Sequence, residues 1–186
     1  MTTYFTDGAE FTVNNNSIVT PMSGGFTQGG QIAPTVTTLA DGRFIVAWSS
    51  NLDPQDGSGS AIKAQLFSAT GEKIGTEFLV NSATLDTQYQ PAVTALSGDG
   101  FVISWTTFDT AADGSGSAVK AQLYDASGAA VGGEFLVDTL TTSSQASPEL
   151  TALSNGGFVA TWTSGASGDD DIKAQIFSAT GTKVGT

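Results

Sequence analysis

The chain has 186 residues, 18 of them Asp or Glu against 6 Lys or Arg, for a net charge of −12. That acidity argues against a nucleic-acid partner, because phosphate backbones are repelled. With no Cys and no His in the sequence, disulfides, thiolate chemistry and the commonest general base and metal ligand are excluded.

The N-terminus, MTTYFTDGAEF, has neither the basic nor the apolar stretch of a signal peptide. No apolar run approaches the ~20 residues that a membrane-spanning helix needs. Acidity suits a soluble extracellular protein or one that gathers divalent cations. The expected location is therefore extracellular or at the cell surface, with export that does not use an N-terminal signal peptide.

Residues 1–14 are expected to hold one strand, Glu10-Phe11-Thr12-Val13-Asn14. Residues 15–30 are rich in Gly, Ser and Asn and read as a loop or arm. From there one pattern runs three times, over residues 31–89, 90–147 and 148–186. Pro34, Pro91 and Pro148 are 57 apart, as are Trp48, Trp105 and Trp162. The Lys-Ala-Gln element starts at Lys63, Lys120 and Lys173, so the third copy has an inner loop four residues shorter. A fixed period of this size denotes a repeat architecture.

Each copy carries four strand patterns. Strand one is TVTTL, AVTAL or ELTAL, with a Pro expected at its start. A turn such as Ala40-Asp41-Gly42 leads into strand two, FIVAW, FVISW or FVATW. Strand two is apolar throughout, as expected of a strand covered on both faces. Strand three alternates, with Ile62, Ala64 and Leu66 on one side and Lys63, Gln65 and Phe67 on the other. A Gly-containing turn then leads to strand four, EFLV. No segment has a 3.6-residue period, so no helix is expected.

A four-stranded meander with doubly buried central strands is the pattern of a β-propeller blade. The pattern resembles the blades of sialidase-like propellers, where a Pro-led strand and a turn precede a strand ending in Trp. It resembles more closely the tandem repeats of secreted, calcium-binding RTX-type bacterial proteins and adhesins, and less closely the rhizobial adhering proteins. The resemblance covers residues 31–186 and implies a secreted module, although the glycine-rich nonapeptide repeat of RTX tails does not occur. A β-trefoil, also three four-stranded repeats, is the alternative fold.

Glu10 to Asn14 repeat strand four, which reads Glu77 to Asn81 and Glu134 to Asp138 in the first two copies. The N-terminal strand is thus expected to complete the last blade, with Glu10, Phe11 and Val13 as its assembly residues. Three blades are fewer than the four to eight typical of propellers. The expected partner is a second copy, in a six-bladed dimeric ring or a head-to-tail fibre, unless the chain is a piece of a longer repeat protein.

Asp-bearing loops join strands two and three. Calcium takes six to eight oxygen ligands, and the candidates are Asp53 and Asp56, Asp109 and Asp113, and Asp169, Asp170 and Asp171. The alternative for these loops is Asx-turns on hairpins. Trp48, Trp105 and Trp162 are candidates for stacking on a glycan, or for blade packing. Lys63, Lys120 and Lys173, with Gln65, Gln122 and Gln175, read as structural, the lysines facing Glu77 and Glu134. A carboxylate pair of glycosidase type is the one catalytic apparatus these residue types allow, and the single Arg43 cannot make a sialidase cluster. The expectation is accordingly no enzyme. The expected function is a non-catalytic adhesion module contacting glycan or matrix with calcium support, the alternative being a structural self-assembling protein.

Overall fold

A strand that is apolar on both sides has to be covered twice, and the architecture follows from that demand. The computed structural model describes residues 10–15, 30–51, 59–84, 86–108, 116–139, 143–166 and 169–185. They form three separate four-stranded antiparallel sheets. Blade 1 is β1 (Gln31–Thr38), β2 (Phe44–Asn51), β3 (Ser60–Phe67) and β4 (Lys73–Leu79). Blade 2 is β5 (Gln88–Ala95), β6 (Phe101–Thr107), β7 (Ala118–Tyr124) and β8 (Ala130–Leu136). Blade 3 is β9 (Ser144–Ala152), β10 (Phe158–Ala166), β11 (Asp169–Phe177) and β12 (Lys183–Val184). Strands neighbour one another in chain order within each sheet. A trefoil would pool its strands in one barrel, so that alternative falls.

Each blade has a forward face and a rear face. In blade 1, Ile45, Ala47, Ile62, Ala64 and Leu66 point forward and pack on Val93, Phe101, Ile103, Trp105 and Tyr124 of blade 2. Forward residues of blade 2, among them Val102, Val119, Ala121 and Leu123, pack in turn on Phe158, Ala160, Trp162 and Phe177 of blade 3. Ring contacts repeat this step: Phe78 of blade 1 tilts onto Tyr124, and Phe135 of blade 2 onto Phe177. Each fully buried large apolar side chain contributes about 1.5–3 kcal/mol, so the blade-to-blade faces are the core.

The strand-one prolines do not begin strands. β1, β5 and β9 start before Pro34, Pro91 and Pro148, and each ladder shifts register around its proline. Pro cannot donate to a ladder and is accommodated at such bulges. The preceding residues Ala33, Gln90 and Ser147 have φ of 51, 53 and 55°, in a region that residues other than Gly seldom occupy. The turned amides bond to the blade behind: Gln90 N donates to Ser49 Oγ at 3.2 Å and Ser147 N to Thr106 Oγ1 at 3.1 Å.

A second bulge explains the Lys-Ala-Gln element. The β3–β4 ladder shifts between Ala64 and Leu66, opposite Gly75 at φ 67°, which only Gly adopts without cost. Carbonyls freed there are taken up by the buried Gln65 side chain, whose Nε2 donates to Leu66 O and Ile74 O, both at 3.0 Å. Gln122 repeats this toward Leu123 and Val131, and Gln175 toward Ile176 and Val184. The lysines pair as expected, Lys63 with Glu77 at 3.0 Å and Lys120 with Glu134 at 3.4 Å.

The N-terminal segment differs from expectation. Residues 10–15 form no ladder with β11 in their own chain; they lie on the rear face of blade 1. Phe11 contacts Phe67, with ring centroids 5.6 Å apart, and Val13 packs on Val46, Trp48 and Phe67. Asn15 N donates to Glu77 Oε2 at 2.7 Å, as Ser82 N does to Glu134. Lys73 Nζ donates to Asn14 O at 3.3 Å, as Lys183 Nζ does to Asp138 O at 2.8 Å. Glu10 is exposed and makes no such contact. The segment therefore sits where the outer strand of a blade preceding blade 1 would sit, because the same residues meet the same receiving face.

Two pairs of substitutions test this framework. Replacing buried Gln122 by Leu leaves two carbonyls unpaired and should lower unfolding free energy by about 2 kcal/mol in urea titration, with Gln175→Leu, at a more exposed bulge, costing less. Phe67→Ala, at a fully buried ring stacked on Phe44, should cost about 3–5 kcal/mol. Phe11→Ala, at a half-exposed ring, should cost about 1 kcal/mol.

Candidate functional site in the axial cavity

The three proline bulges converge. Inner strand β5 lies between β1 and β9, and Ala33, Pro34, Thr35, Gln90, Pro91, Ser147, Pro148 and Glu149 line a cavity of about 270 Å³. Its polar groups are few and specific. Ser147 Oγ donates to Gln90 Oε1 at 3.2 Å, linking two blades across the site, and Glu149 adds an exposed carboxylate. The repeat explains why that carboxylate stands out. Thr35 and Ala92 occupy the same position in the other two copies, so the cavity has an acidic group on one blade.

This arrangement can bind a polyhydroxylated ligand and exchange a proton with it. An amide and a hydroxyl offer donors and acceptors, and a solvated carboxylate can act as base, nucleophile or acid. Glu149 was not singled out from the sequence. Its only trace there is a break in the repeat, ELTAL where the other copies read TVTTL and AVTAL.

The sequence-derived candidates lie elsewhere. Trp48, Trp105 and Trp162 are all buried; Trp105 and Trp162 pack on the blade behind and Trp48 on Val13, which favours the blade-packing alternative over sugar stacking. Trp48 Nε1 donates to Gln31 Oε1. Asp53, Asp56, Asp109 and Asp113 lie outside the described residues. Asp169, Asp170 and Asp171 are not in a loop but in β11, opposite Ala166, Gly165 and Ser164. Successive strand residues point to opposite faces, so Asp170 and Asp171 do not converge. Asp171 bonds to Lys173 at 2.8 Å, and that ammonium holds its carboxyl below the usual range. Among the described residues no three acidic side chains gather as a metal site.

Arg43 has a structural role. Its Nη1 donates to Ala126 O of blade 2 at 2.6 Å, and its Nε pairs with Asp41 at 2.5 Å. Backbone hydrogen bonding from Arg43, aided by its guanidinium, lowers the Asp41 carboxyl. No helix among the described residues is long and apolar enough to cross a membrane.

No family model matches the sequence, and the search of curated proteins returns no match. Solved structures do resemble the fold. An α-L-arabinofuranosidase from Lactobacillus brevis aligns with TM-score 0.55 and 12% identity over 83% of this chain and 55% of its own. An N-acetylgalactosamine deacetylase from F. plautii, solved with blood group B trisaccharide, aligns with TM-score 0.57 and 12% identity over 92% and 56%. A family 117 glycoside hydrolase of Zobellia galactanivorans aligns with TM-score 0.54 and 9% identity over 94% and 60%. The chain spans less than two thirds of each of them, and at such identity what is shared is the fold.

These findings overturn the expectation of a non-catalytic adhesion or self-assembling module without enzymatic activity. That expectation rested on the lack of His, Cys and an arginine cluster, yet proteins of this fold process carbohydrate, and hydrolysis of a glycosidic bond runs on carboxylates. None of the three is an RTX-type protein or an adhesin, so that resemblance gains no support. The chain is an all-β, propeller-like stack of three four-stranded blades, similar in fold to carbohydrate-processing enzymes.

Proposed function

We propose that this chain is a carbohydrate-processing propeller module that holds a sugar residue at the axial cavity, with Glu149 as the carboxylate that acts on it. The observation that carries this reading is the convergence of three bulged inner strands on one cavity with a single acidic position. Bulges are over-represented beside active sites, where they re-aim side chains, and strained backbone gathers there too. The similarity in fold to an arabinofuranosidase, a deacetylase and a family 117 glycoside hydrolase supports carbohydrate as the substrate class.

In this reading Gln90 and Ser147 bond to ring hydroxyls, while the prolines form a rigid apolar floor. Glu149 supplies one of the two carboxylates that glycosidic hydrolysis uses. Its position on β9, a strand paired along β10, keeps it fixed relative to the Gln90–Ser147 link.

The test is a panel of arabinan, xylan, a chromogenic α-L-arabinofuranoside and an N-acetylgalactosamine-terminated trisaccharide. One of them should be turned over, and Glu149→Gln should lower kcat by about 10²-fold or more with an unchanged melting temperature. Neither turnover nor calorimetric binding of any member by the wild-type chain would overturn the proposal.

A further inference from the structure

Tyr89 and Phe108 form an aromatic pair that the repeat does not call for. Their rings stack with centroids 5.4 Å apart and planes 10° from parallel, and Phe108 is 43% exposed. The counterparts of Tyr89 are Ile32 and Ala146, and those of Phe108 are Asn51 and Gly165. Closing the strand pair does not require an aromatic ring there either. Phe108 N donates to Thr87 O at 3.0 Å, and Asn51 N makes the same bond to Gly30 O at 2.8 Å in blade 1. Like Glu149, the pair is a divergence between otherwise similar repeats.

The pair stands beside the cavity. Tyr89 lies opposite Thr106 in the β5–β6 ladder, so the two side chains share a face. On that face the Thr106 hydroxyl accepts the Ser147 amide at 3.1 Å, and Gln90, the residue after Tyr89, accepts from Ser147 Oγ at 3.2 Å. Ile32, 51% exposed, lies opposite Ser49, whose Oγ accepts the Gln90 amide. Apolar surface from blades 1 and 2 thus borders the polar Gln90–Ser147 link. We infer that Tyr89 and Phe108 form a stacking platform for a second sugar residue, joined to the one held at the cavity, so that the site takes a glycan chain and not a single sugar. This rests on the carbohydrate reading of the cavity. A sugar ring pairs an apolar C–H face with hydroxyl edges. The face suits the exposed Phe108 ring, and the edges suit the amide and hydroxyl groups nearby. Ligand sites combine such an apolar lining with a few placed polar groups.

Calorimetric titration tests this by comparing arabinotriose with arabinose, xylotriose with xylose, and the N-acetylgalactosamine-terminated trisaccharide with N-acetylgalactosamine. One trisaccharide should bind about tenfold more tightly than its monosaccharide. Phe108→Ala should weaken that trisaccharide by about tenfold and leave the monosaccharide affinity unchanged, whereas Phe108→Trp, which keeps a ring, should restore most of the loss. The platform is overturned if no trisaccharide binds more tightly than its monosaccharide, if Phe108→Ala leaves the preference intact, or if Phe108→Trp binds as poorly as Phe108→Ala. Turnover reads the role of Glu149 separately. Full kcat in Glu149→Gln, with the Phe108 effect present, overturns the carboxylate role alone; Glu149-dependent turnover with no effect at Phe108 overturns the platform alone.

Discussion

The burial of strand two on both faces is the constraint from which the rest of the structure follows. β2 and β6 are apolar toward both neighbours, so no blade can complete its own core. A single sheet buries one face of its central strands at most; the second face needs another sheet about 10 Å away. Blade 1 solves this forward with blade 2 and rearward with residues 11 and 13. The same demand makes the structure quasi-one-dimensional, with each blade contacting its neighbours and stability accruing step by step. It also explains why Trp is repeated within strand two: a large flat side chain fills the rear face, against the preceding blade in blades 2 and 3 and beside Val13 in blade 1.

Apolar faces alone would let blades slide. Three polar devices hold the register. The proline bulges of β5 and β9 turn an amide out to a hydroxyl on the blade behind, Gln90 to Ser49 and Ser147 to Thr106. The core glutamines close the outer-strand bulge from within, as Gln65 does. The Lys63–Glu77 and Lys120–Glu134 pairs, mostly buried, give little net stability once desolvation is counted. Their use is positional: Glu134 also accepts Ser82 N, just past β4 of blade 1, and Glu77 accepts Asn15 N of the N-terminal segment. A buried charge pair that also captures a backbone donor specifies where that strand must lie.

The same bulges create the cavity. An inner strand without an extra residue would run straight past its neighbours, whereas the turned residues Ala33, Gln90 and Ser147 leave the space that forms the candidate cavity. Strain at these residues is tolerated because the freed amides of Gln90 and Ser147 find partners on the preceding blade. Scaffold and candidate site therefore share one local feature, and divergence between repeats can act on the site while the packing residues stay alike. Glu149 is such a divergence.

By itself the sequence determined the repeat, the strands and the stacking. Periods of two along strand three, doubly apolar strand two and the spacing of 57 residues are local or one-dimensional facts, and they hold whatever surrounds them. It did not reveal which way Trp48, Trp105 and Trp162 face, since a blade-end Trp reads alike whether it meets sugar or another blade. Nor did it show that Asp170 and Asp171 diverge, because the third inner loop is short enough to draw them into β11. Glu149 was legible only as a mismatch among repeats; what makes it a candidate is the meeting of three strands distant in sequence. Only the tertiary structure decides that, because an axis exists only once separate blades have packed around it.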